Sequence, residues 1–458
     1  MKGDLSRIGL RDTSFELLTV GDLVTQGVLE TPLDGNHGEL HPKGDDFVSQ
    51  GIPFIMASDI VDGQVDYTTC KFISARQART LRKGFARPRD VLLTHKATIG
   101  RTALVDNSKY PFLMLTPQVT YYRVKDRHRL DFRYLRYYFE GEYFHKTFQL
   151  WADAGSTRAY LGITAQLALP VILPPIEKQS KIAAVLFAYD ELIENNKRRI
   201  ALLEKLAEEI YREWFVRLRF PGYENLGVRK GVPAGWSVRP LGSIAVEAKN
   251  RVKKKDLADD VKYLGLEHIP RRSIAIKEWA TAASVESDKL WFGQGDILLG
   301  KIRPYLHKVA LAHFSGACSS DTIVIRPKEA IYEGYVLFTV FSDVFIDLAT
   351  VASKGTKMPR ADWDFLKELA LRVPDEGLVA SYQAQFEPIF SQIVSLLHQD
   401  ELLRTSRDAF LPRLLSGKLS VEDLDIQFPP GMAEEMEAER AGKGGGFTGS
   451  ADGAIASA

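Results

Sequence analysis

The sequence predicts an α+β fold. Two homologous mixed α/β domains are separated by a long two-helix antiparallel coiled coil, and one half of the chain repeats the other as a pseudo-twofold. Three observations carry this expectation. Short stretches recur in the same order about two hundred residues apart. Residues 176–220 run for 45 residues without Gly or Pro, bracketed by Pro174, Pro175 and Pro221. Apolar residues in that run and in its later counterpart alternate spacings of four and three, the mark of a heptad seam rather than of a surface helix.

The repeat is collinear. "ELLTVGDL" (16–23) resembles "SVRPLGSI" (237–244), and "PFIMASDI" (53–60) resembles "KYLGLEHI" (262–269). "RPRDVLLTHK" (87–96) pairs with "GQGDILLGKI" (293–302), and "RYLRYYFEGEYF" (133–144) with "GYVLFTVFSDVF" (334–345). "AGSTRAYLGITAQLALPVILPP" (154–175) pairs with "KGTKMPRADWDFLKELALRVPD" (354–375). The offset falls steadily from 221 to 200, as loop deletions in one copy would produce.

The first domain spans 1–174. Its runs "PFIM", "DVLLTHK", "RTALV" and "QVTYYRV" are β-branched or aromatic and bounded by turn residues, hence strands of a small, mostly antiparallel or mixed sheet. "DFRYLRYYFEGEYFHKTFQ" follows as helix, with Tyr134, Tyr137 and Tyr138 at helical spacing for core packing. The first long helix spans 175–220, with its seam on Ile182, Leu186, Tyr189, Ile193, Asn196, Ile200, Leu203, Ala207, Ile210 and Trp214. At 1.5 Å per residue it reaches roughly 65 Å. A Gly/Pro linker (221–236) leads to the second domain, 237–374, whose strands are "SIAIKEW", "GDILLGKI", "KVALA" and "DTIVIRP". Its helix carries Tyr335, Phe338 and Phe341 in the same stripe. The second long helix spans 375–420, with Tyr382, Phe386, Ile389, Ile393, Leu396, Asp400, Leu403, Arg407, Phe410 and Leu414 on its seam. Polar Asn196, Asp400 and Arg407 weaken the seam and either set its register or kink the helix there, and Pro388 and Pro412 are expected to bend the second helix. The remainder, 421–458, is small, polar and Gly-rich and reads as disordered.

Composition narrows the function. Of 458 residues 45% are apolar and 26% charged, with a net charge of +1, so any affinity for nucleic acid must come from local patches. Cys70 and Cys318 are the only cysteines. With no CxxC and no His/Cys cluster, neither a disulfide framework nor a structural metal is expected, and a reducing cytoplasm fits. The first residues lack a signal-peptide core, and no apolar run approaches the 18 or so residues of a membrane span. No P-loop, HExxH or GxSxG elbow occurs. Asp90 and Asp296 stand at duplicated positions before apolar strands, where turn or cap duty is expected over metal-dependent cleavage.

Basic residues cluster locally. Residues 71–89 hold seven Lys/Arg and no acid, and 249–255 hold five basics, Lys253 among them. "GKIRPYLHK" (300–308) places Lys301, Arg303 and His307 after a strand, and "THKATIGR" (94–101) answers with Lys96 and Arg101. "AGSTRAY" offers Ser156, Thr157 and Arg158, and "SKGTKMPR" offers Lys354, Thr356, Lys357 and Arg360 at the same place in the repeat. Backbone N–H groups, hydroxyls and cations together suit phosphate contacts, and Arg can read guanine edges, so these residues are the candidate DNA contacts.

The chain resembles the specificity subunit of type I restriction–modification systems. The motifs that carry the resemblance are "PAGWSVRPLGSI" (233–244), "GDILLGKIRPYLHKVAL" (295–311), "LALPVILPPIEKQSKIAAVL" (167–186) and "LPRLLSGKLSV" (411–421), within roughly 15–421. The PPxxxQ entry to the helix is Pro174, Pro175 and Gln179; the second copy departs from it, with Val379 where Gln would stand. The resemblance implies a non-catalytic subunit with two target-recognition domains, each reading one half of a split site in double-stranded DNA. The helices would act as a ruler for the spacer. It also implies two adenine-N6 methyltransferase (modification) subunits docked on the helices, and restriction/translocase subunits completing the complex. S-adenosylmethionine, ATP and Mg²⁺ would belong to those partners, with no cofactor bound by this chain. Tyr211, Trp214, Phe215, Phe410 and Leu414 would serve either the seam or partner docking. The competing expectation is a coiled-coil scaffold without sequence-specific DNA binding; a cryptic nuclease is a third.

Overall fold

The computed structural model describes residues 15–106, 110–153, 159–225, 227–229, 232–353 and 358–440. Helix and strand are mixed, and the chain divides into two compact units. One comprises Met1–Leu192 and Leu403–Ala458, the other Ile193–Leu402.

In the first unit Glu16–Thr19 pairs antiparallel with Pro170–Leu173, tying the start of the domain to the strand before the long helix. A four-stranded sheet has the order Leu33–Asp34, Val119–Tyr122, Val91–Lys96, Thr98–Leu104. A five-stranded sheet has the order Phe47–Val48, Lys71–Ile73, Ile52–Ile55, Leu113–Leu115, Phe85–Ala86. Val91–Lys96 is central in its sheet, and its residues 91–95 are all buried, so it reads as a continuous apolar run instead of an alternating one. Its two faces serve different cores. Val91 and Leu93 pack with Tyr134, Leu135 and Phe139 of the helix Phe132–Glu140, whereas Leu92 packs with Ile55, Leu113 and Leu115. Each such buried aliphatic side chain contributes about 1.5–3 kcal/mol.

The second unit repeats the plan. Ser237–Pro240 pairs with Ala370–Val373. The four-stranded order is Ala245–Glu247, Thr322–Pro327, Ile297–Gly300, Val309–Leu311. Its central strand Ile297–Gly300 is again wholly buried, with Ile297 and Leu299 facing one core and Leu298 the other. The five-stranded order is Arg251–Val252, Lys289–Phe292, Gly316–Cys318, Lys262–Leu264, Ala280–Thr281. In each five-stranded sheet the one parallel pairing falls at the equivalent place, Met114 opposite Phe54 and Ala317 opposite Tyr263. The sheets differ in where the fifth strand adds: beside Lys71–Ile73 in the first unit, and beside Lys289–Phe292 in the second.

The helices Phe132–Glu140 and Glu333–Phe341 cover the four-stranded sheets, and the aromatic stripes expected for core packing are buried in both. The Tyr134 hydroxyl donates to the Ile172 carbonyl at 2.8 Å, and that of Tyr335 to the Arg372 carbonyl at 2.9 Å. Asp131 caps the first helix by accepting from the Arg133 and Tyr134 amides. Gln179 then joins cap and long helix: its side chain accepts from the Asp131 amide at 3.0 Å and donates to the carbonyls of Arg129 and Pro174. In the second unit Gln383, one helical turn beyond Val379, accepts from the Gly334 amide at 2.9 Å.

The long helices are Ile176–Tyr211 and Glu376–Leu415. In the first unit the opening turns of one meet the closing turns of the other, with the rings of Tyr189 and Phe410 5.9 Å apart. In the second unit the closing turns of the first meet the opening turns of the second, through Tyr211, Trp214 and Tyr382. Two boundaries differ from expectation. The first helix gives way after Tyr211 to one wide turn, Arg212–Val216, closed by the Arg217 amide on the Arg212 carbonyl. The second helix is continuous through Pro388 and Pro412. The segment expected to be disordered from 421 is ordered to 440, where Pro430–Arg440 is helical, Met432 is fully buried, and Glu435 pairs with Arg89 and Arg133. Its apolar and acidic residues find a basic, apolar surface that no local composition reveals.

Candidate nucleic-acid interface

The site grows from the end of each central strand. In the second unit Ile297–Gly300 runs out into Lys301, and the chain reverses through a short helical turn, Pro304–Leu306. Arg303 and His307 flank this turn with φ of 51° and 52°. Non-glycine residues rarely adopt this left-handed conformation, and such local strain is characteristic of functional turns. Three backbone hydrogen bonds brace it: Lys301 N to Asp321 O at 2.7 Å, Arg303 N to Pro359 O at 2.8 Å, and Ala361 N to Lys301 O at 2.9 Å. An isolated bridge pairs Ile302 with Arg360. Lys301, Arg303 and Arg360 are thereby brought together. Arg303 and Arg360 are exposed and Lys301 is half-buried. The Arg360 guanidinium is 3.3 Å from Asp321, whereas no carboxylate pairs with Lys301 or Arg303 among the described residues.

The first unit forms the same arrangement with a simpler turn. Val91–Lys96 and Thr98–Leu104 meet at Ala97, whose φ is 67°. Lys96 bridges to Tyr160, and its ammonium sits 5.7 Å from that ring. Ala97 N donates to Ala159 O, and Leu161 N to His95 O. Arg101 is exposed on the return strand; its amide donates to the Thr94 hydroxyl at 2.9 Å, at the bulge between Ile99 and Thr102. Lys96 thus lies where Ile302 lies in the other unit, and Tyr160 where Arg360 lies.

The remaining expected residues divide three ways. Ser156, Thr157, Arg158, Lys354, Thr356 and Lys357 lie outside the described residues. Lys253 is exposed, but it follows Arg251–Val252 on the five-stranded sheet and not the turn that carries Lys301 and Arg303. His307 is corrected from a contact residue to an internal one. It is 3% exposed, its Nε2 is 2.7 Å from the Phe341 carbonyl, and its ring meets that of Phe341 at 4.7 Å. Burial and then the nearby Arg272 guanidinium hold its imidazole below the ordinary range, so it stays neutral. It pins the turn to the end of a helix.

Of the two roles left open for Tyr211, Trp214, Phe215, Phe410 and Leu414, burial favours the internal one for most. Tyr211, Trp214 and Phe215 are 8%, 7% and 7% exposed, and Leu414 is 1% exposed. Tyr211 shares a hydrogen bond with the Thr339 hydroxyl, and Phe215 meets Tyr335 and Tyr382 edge-on at 4.9 Å. They hold the chain's own elements together; Phe410 is half-buried against Tyr189.

Sequence reasoning passed over several groups that the fold assembles here. Arg271 bridges to Lys308, and the Arg272 amide donates to the His307 carbonyl at 3.0 Å, so an Arg–Arg pair joins the turn from a distant stretch. Tyr305 is 54% exposed and Tyr160 45% exposed, an aromatic face beside cations in each unit and suited to stacking on a base or sugar. The adjacent arginines between Pro270 and Ser273 were the available signal.

Asp90 and Asp296 have the turn duty expected of them. Each accepts an amide three residues back, Arg87 N and Gly293 N at 2.7 Å, and each receives a two-pronged arginine, Arg123 and Arg326 respectively, at 2.7–2.8 Å. Cys70 and Cys318 are buried free thiols, pushed up to about 11 and about 12 by burial. No single helix among the described residues is long and apolar enough to cross a membrane. Among the same residues no group of His, Cys, Asp and Glu is placed to hold a metal ion.

A model of the type I restriction modification DNA specificity domain matches residues 36–205. Over 402 residues the chain is 24% identical to the type I restriction enzyme MjaIX specificity subunit of Methanocaldococcus jannaschii, covering 81% of this chain and 88% of that protein. It is also 24% identical, over 329 residues, to the type I restriction enzyme EcoDI specificity subunit of Escherichia coli, covering 64% and 73%. A crystal structure of a type I restriction–modification system S subunit from M. genitalium superposes with a TM-score of 0.52 at 12% identity, covering 88% of this chain and 96% of that one. At that identity the likeness speaks to the fold alone.

Proposed function

We propose that the chain, which is similar over much of its length to type I restriction–modification specificity subunits, is the DNA-reading component of such a complex. Each unit reads one half of a bipartite site in double-stranded DNA. The observation that carries this reading is the recurrence of one basic, aromatic turn at the end of the same central strand in two units of like strand order. Lys301, Arg303 and Arg360 serve one half-site, with Arg271, Arg272 and Tyr305 beside them. Lys96, Arg101 and Tyr160 serve the other. Ser156, Thr157, Arg158, Lys354, Thr356 and Lys357, which lie outside the described residues, are proposed as further contacts from their residue types alone, and exposed Lys253 as a phosphate contact. Phosphate contacts set position, while guanidinium groups discriminate bases.

The two units descend from an internal duplication, and the long helices form an antiparallel coiled coil that sets the spacer between half-sites. Half-sites one duplex turn apart lie about 34–36 Å from each other, which a two-helix rod of this length can span. Two methyltransferase subunits dock on the helices, and restriction/translocase subunits complete the assembly. S-adenosylmethionine, ATP and Mg²⁺ belong to those partners, which perform the chemistry. Docking uses residues the chain leaves uncovered: Leu202 and Leu402, 67% and 55% exposed, stand at equivalent positions of the two helices, with Leu206 one turn beyond the first.

The test is co-expression with the cognate methyltransferase followed by mapping of modified adenines. A split motif is expected, and removal of one heptad from each long helix should shorten its gap. A continuous motif, or none, would speak for a scaffold without sequence-specific DNA binding.

A further inference from the structure

We propose that Glu204 and Arg404 are positioning residues for DNA reading. Each fixes one recognition unit's contact turn to the long helix contributed by the other half of the repeat. The inference rests on the reading given under Proposed function and deepens it.

Glu204 lies on the long helix that follows the first domain in sequence, in the part of that helix belonging to the second unit. One of its carboxylate oxygens, Oε1, accepts three hydrogen bonds from the second domain: the Ser273 hydroxyl at 2.6 Å, the Ile274 amide at 2.8 Å and the Ala275 amide at 3.0 Å. The segment it grips is the one that backs the contact turn. Arg271 bridges to Lys308, Arg272 N donates to His307 O, and Leu311 N donates to Ile274 O. Ile274 and Ala275 are buried; without the carboxylate the Ile274 amide would lose its acceptor and the Ala275 amide would keep only a long contact, 3.4 Å, to the Ser273 hydroxyl.

The equivalent position on the other long helix, two hundred residues on, is Arg404. Its guanidinium donates to the Asp62 carboxylate at 2.9 Å, within the first unit. Asp62 stands where Ser273 stands, because Leu104 N donates to Gly63 O as Leu311 N donates to Ile274 O. The backing segment again supports the contact strand, with the Arg101 guanidinium donating to the Ile60 carbonyl at 3.4 Å. The partner chemistry is reversed, carboxylate on the helix in one unit and guanidinium in the other, while the place in the fold is kept. A chance surface pair would not recur at equivalent positions of both helices and both backing segments. Charge-assisted hydrogen bonds of this kind are the strong ones. They set the angle at which each turn leaves its helix, hence the register of its side chains on the duplex.

The experiment compares the full-length chain with Glu204→Ala, Glu204→Gln and Arg404→Ala, each co-expressed with the methyltransferase. Three readouts are amide hydrogen exchange, tolerance of base changes in each half of the modified motif, and melting temperature. Glu204→Ala should speed exchange at Ile274 and Ala275 while the central strand Ile297–Gly300 stays protected. It should also lower discrimination at one half of the motif by about tenfold, a change of about 1.4 kcal/mol, and leave the other half intact. Glu204→Gln keeps an acceptor oxygen and should restore most of both. Arg404→Ala should relax the opposite half. Equal loss at both halves in step with a lower melting temperature would mark a merely structural role and overturn the inference. Unchanged exchange and discrimination in the variants, beside a normal split motif from the parent chain, would overturn it alone. A parent chain that directs no split motif would overturn the functional reading and this inference with it.

Discussion

Lys301 and Arg303 end a strand whose every residue is buried, on a turn braced by three backbone hydrogen bonds, so their placement costs little ordering when a ligand arrives. Replacing both with Ala should weaken one half-site and leave the other unchanged, at about 1–3 kcal/mol per lost two-pronged base contact; binding to duplexes altered in one half at a time measures this. His313 makes a second residue-scale prediction. Burial, aided by the Lys262 ammonium, pushes its imidazole down to about 4, and its ring packs against Phe314 at 4.8 Å. A histidine whose folded pKa lies below its unfolded value of about 6.5 stabilises the fold above that value, and the contribution is lost as pH falls from about 6.5 toward 4. Thermal unfolding at pH 7.5 and pH 5 should show acid destabilisation of the parent, and His313→Phe should reduce it.

The elements that decide the geometry are the long helices, and their seam is not uniformly apolar. Asp190 and Arg407 meet at 2.7 Å within the first unit, where Asp190 also accepts from Arg136 at 2.5 Å and from the Tyr137 hydroxyl at 2.7 Å. Burial works to raise the Asp190 carboxyl, but Arg136 and Arg407 outweigh it and hold it below the ordinary range. Two hundred residues away, at the same seam level of the second unit, the aligned residues are Phe390 and Ala207, which pack in an apolar and aromatic cluster. An ionic network admits one register where greasy side chains admit several. Breaking a buried pair by removing one partner typically costs about 3–5 kcal/mol. Asp190→Asn should therefore lower stability by about that much, read as a shift of the denaturant midpoint, because two arginines lose their counter-charge. Its effect should be full above about pH 5 and shrink as pH falls below about 4, because a carboxyl held below its unfolded value of about 3.9 stabilises the fold only where the unfolded group is ionised. The polar seam residue Arg407, legible in the heptad pattern as a local weakness that either sets register or kinks the helix, is in the fold tied to Asp190.

For the whole molecule the docking prediction is decisive. Leu202→Asp with Leu402→Asp should leave folding intact, since both side chains are exposed, and should reduce co-purification of the methyltransferase. Loss of folding instead would place these leucines in the core. Much of this architecture is legible in the order of residues alone. Strand runs, turn punctuation and heptad spacing are periodic properties of a chain, so the mixed helix-and-strand content and the basic turns after "DVLLTHK" and "GDILLGKI" could be read directly. What periodicity does not encode is which partner a side chain meets. His307 looks like its basic neighbours in sequence, yet a left-handed backbone turns it inward onto Phe341. Tyr211, Trp214 and Phe215 read equally as seam or docking residues until Tyr335 and Tyr382 pack against them. The segment Pro430–Arg440 looks like a tail until Arg89 and Arg133 close around Glu435. The sequence by itself determined the elements and their repetition, because those follow from local pattern; only the tertiary structure decided which charges are spent internally and which remain for a ligand, because that depends on contacts between residues hundreds of positions apart.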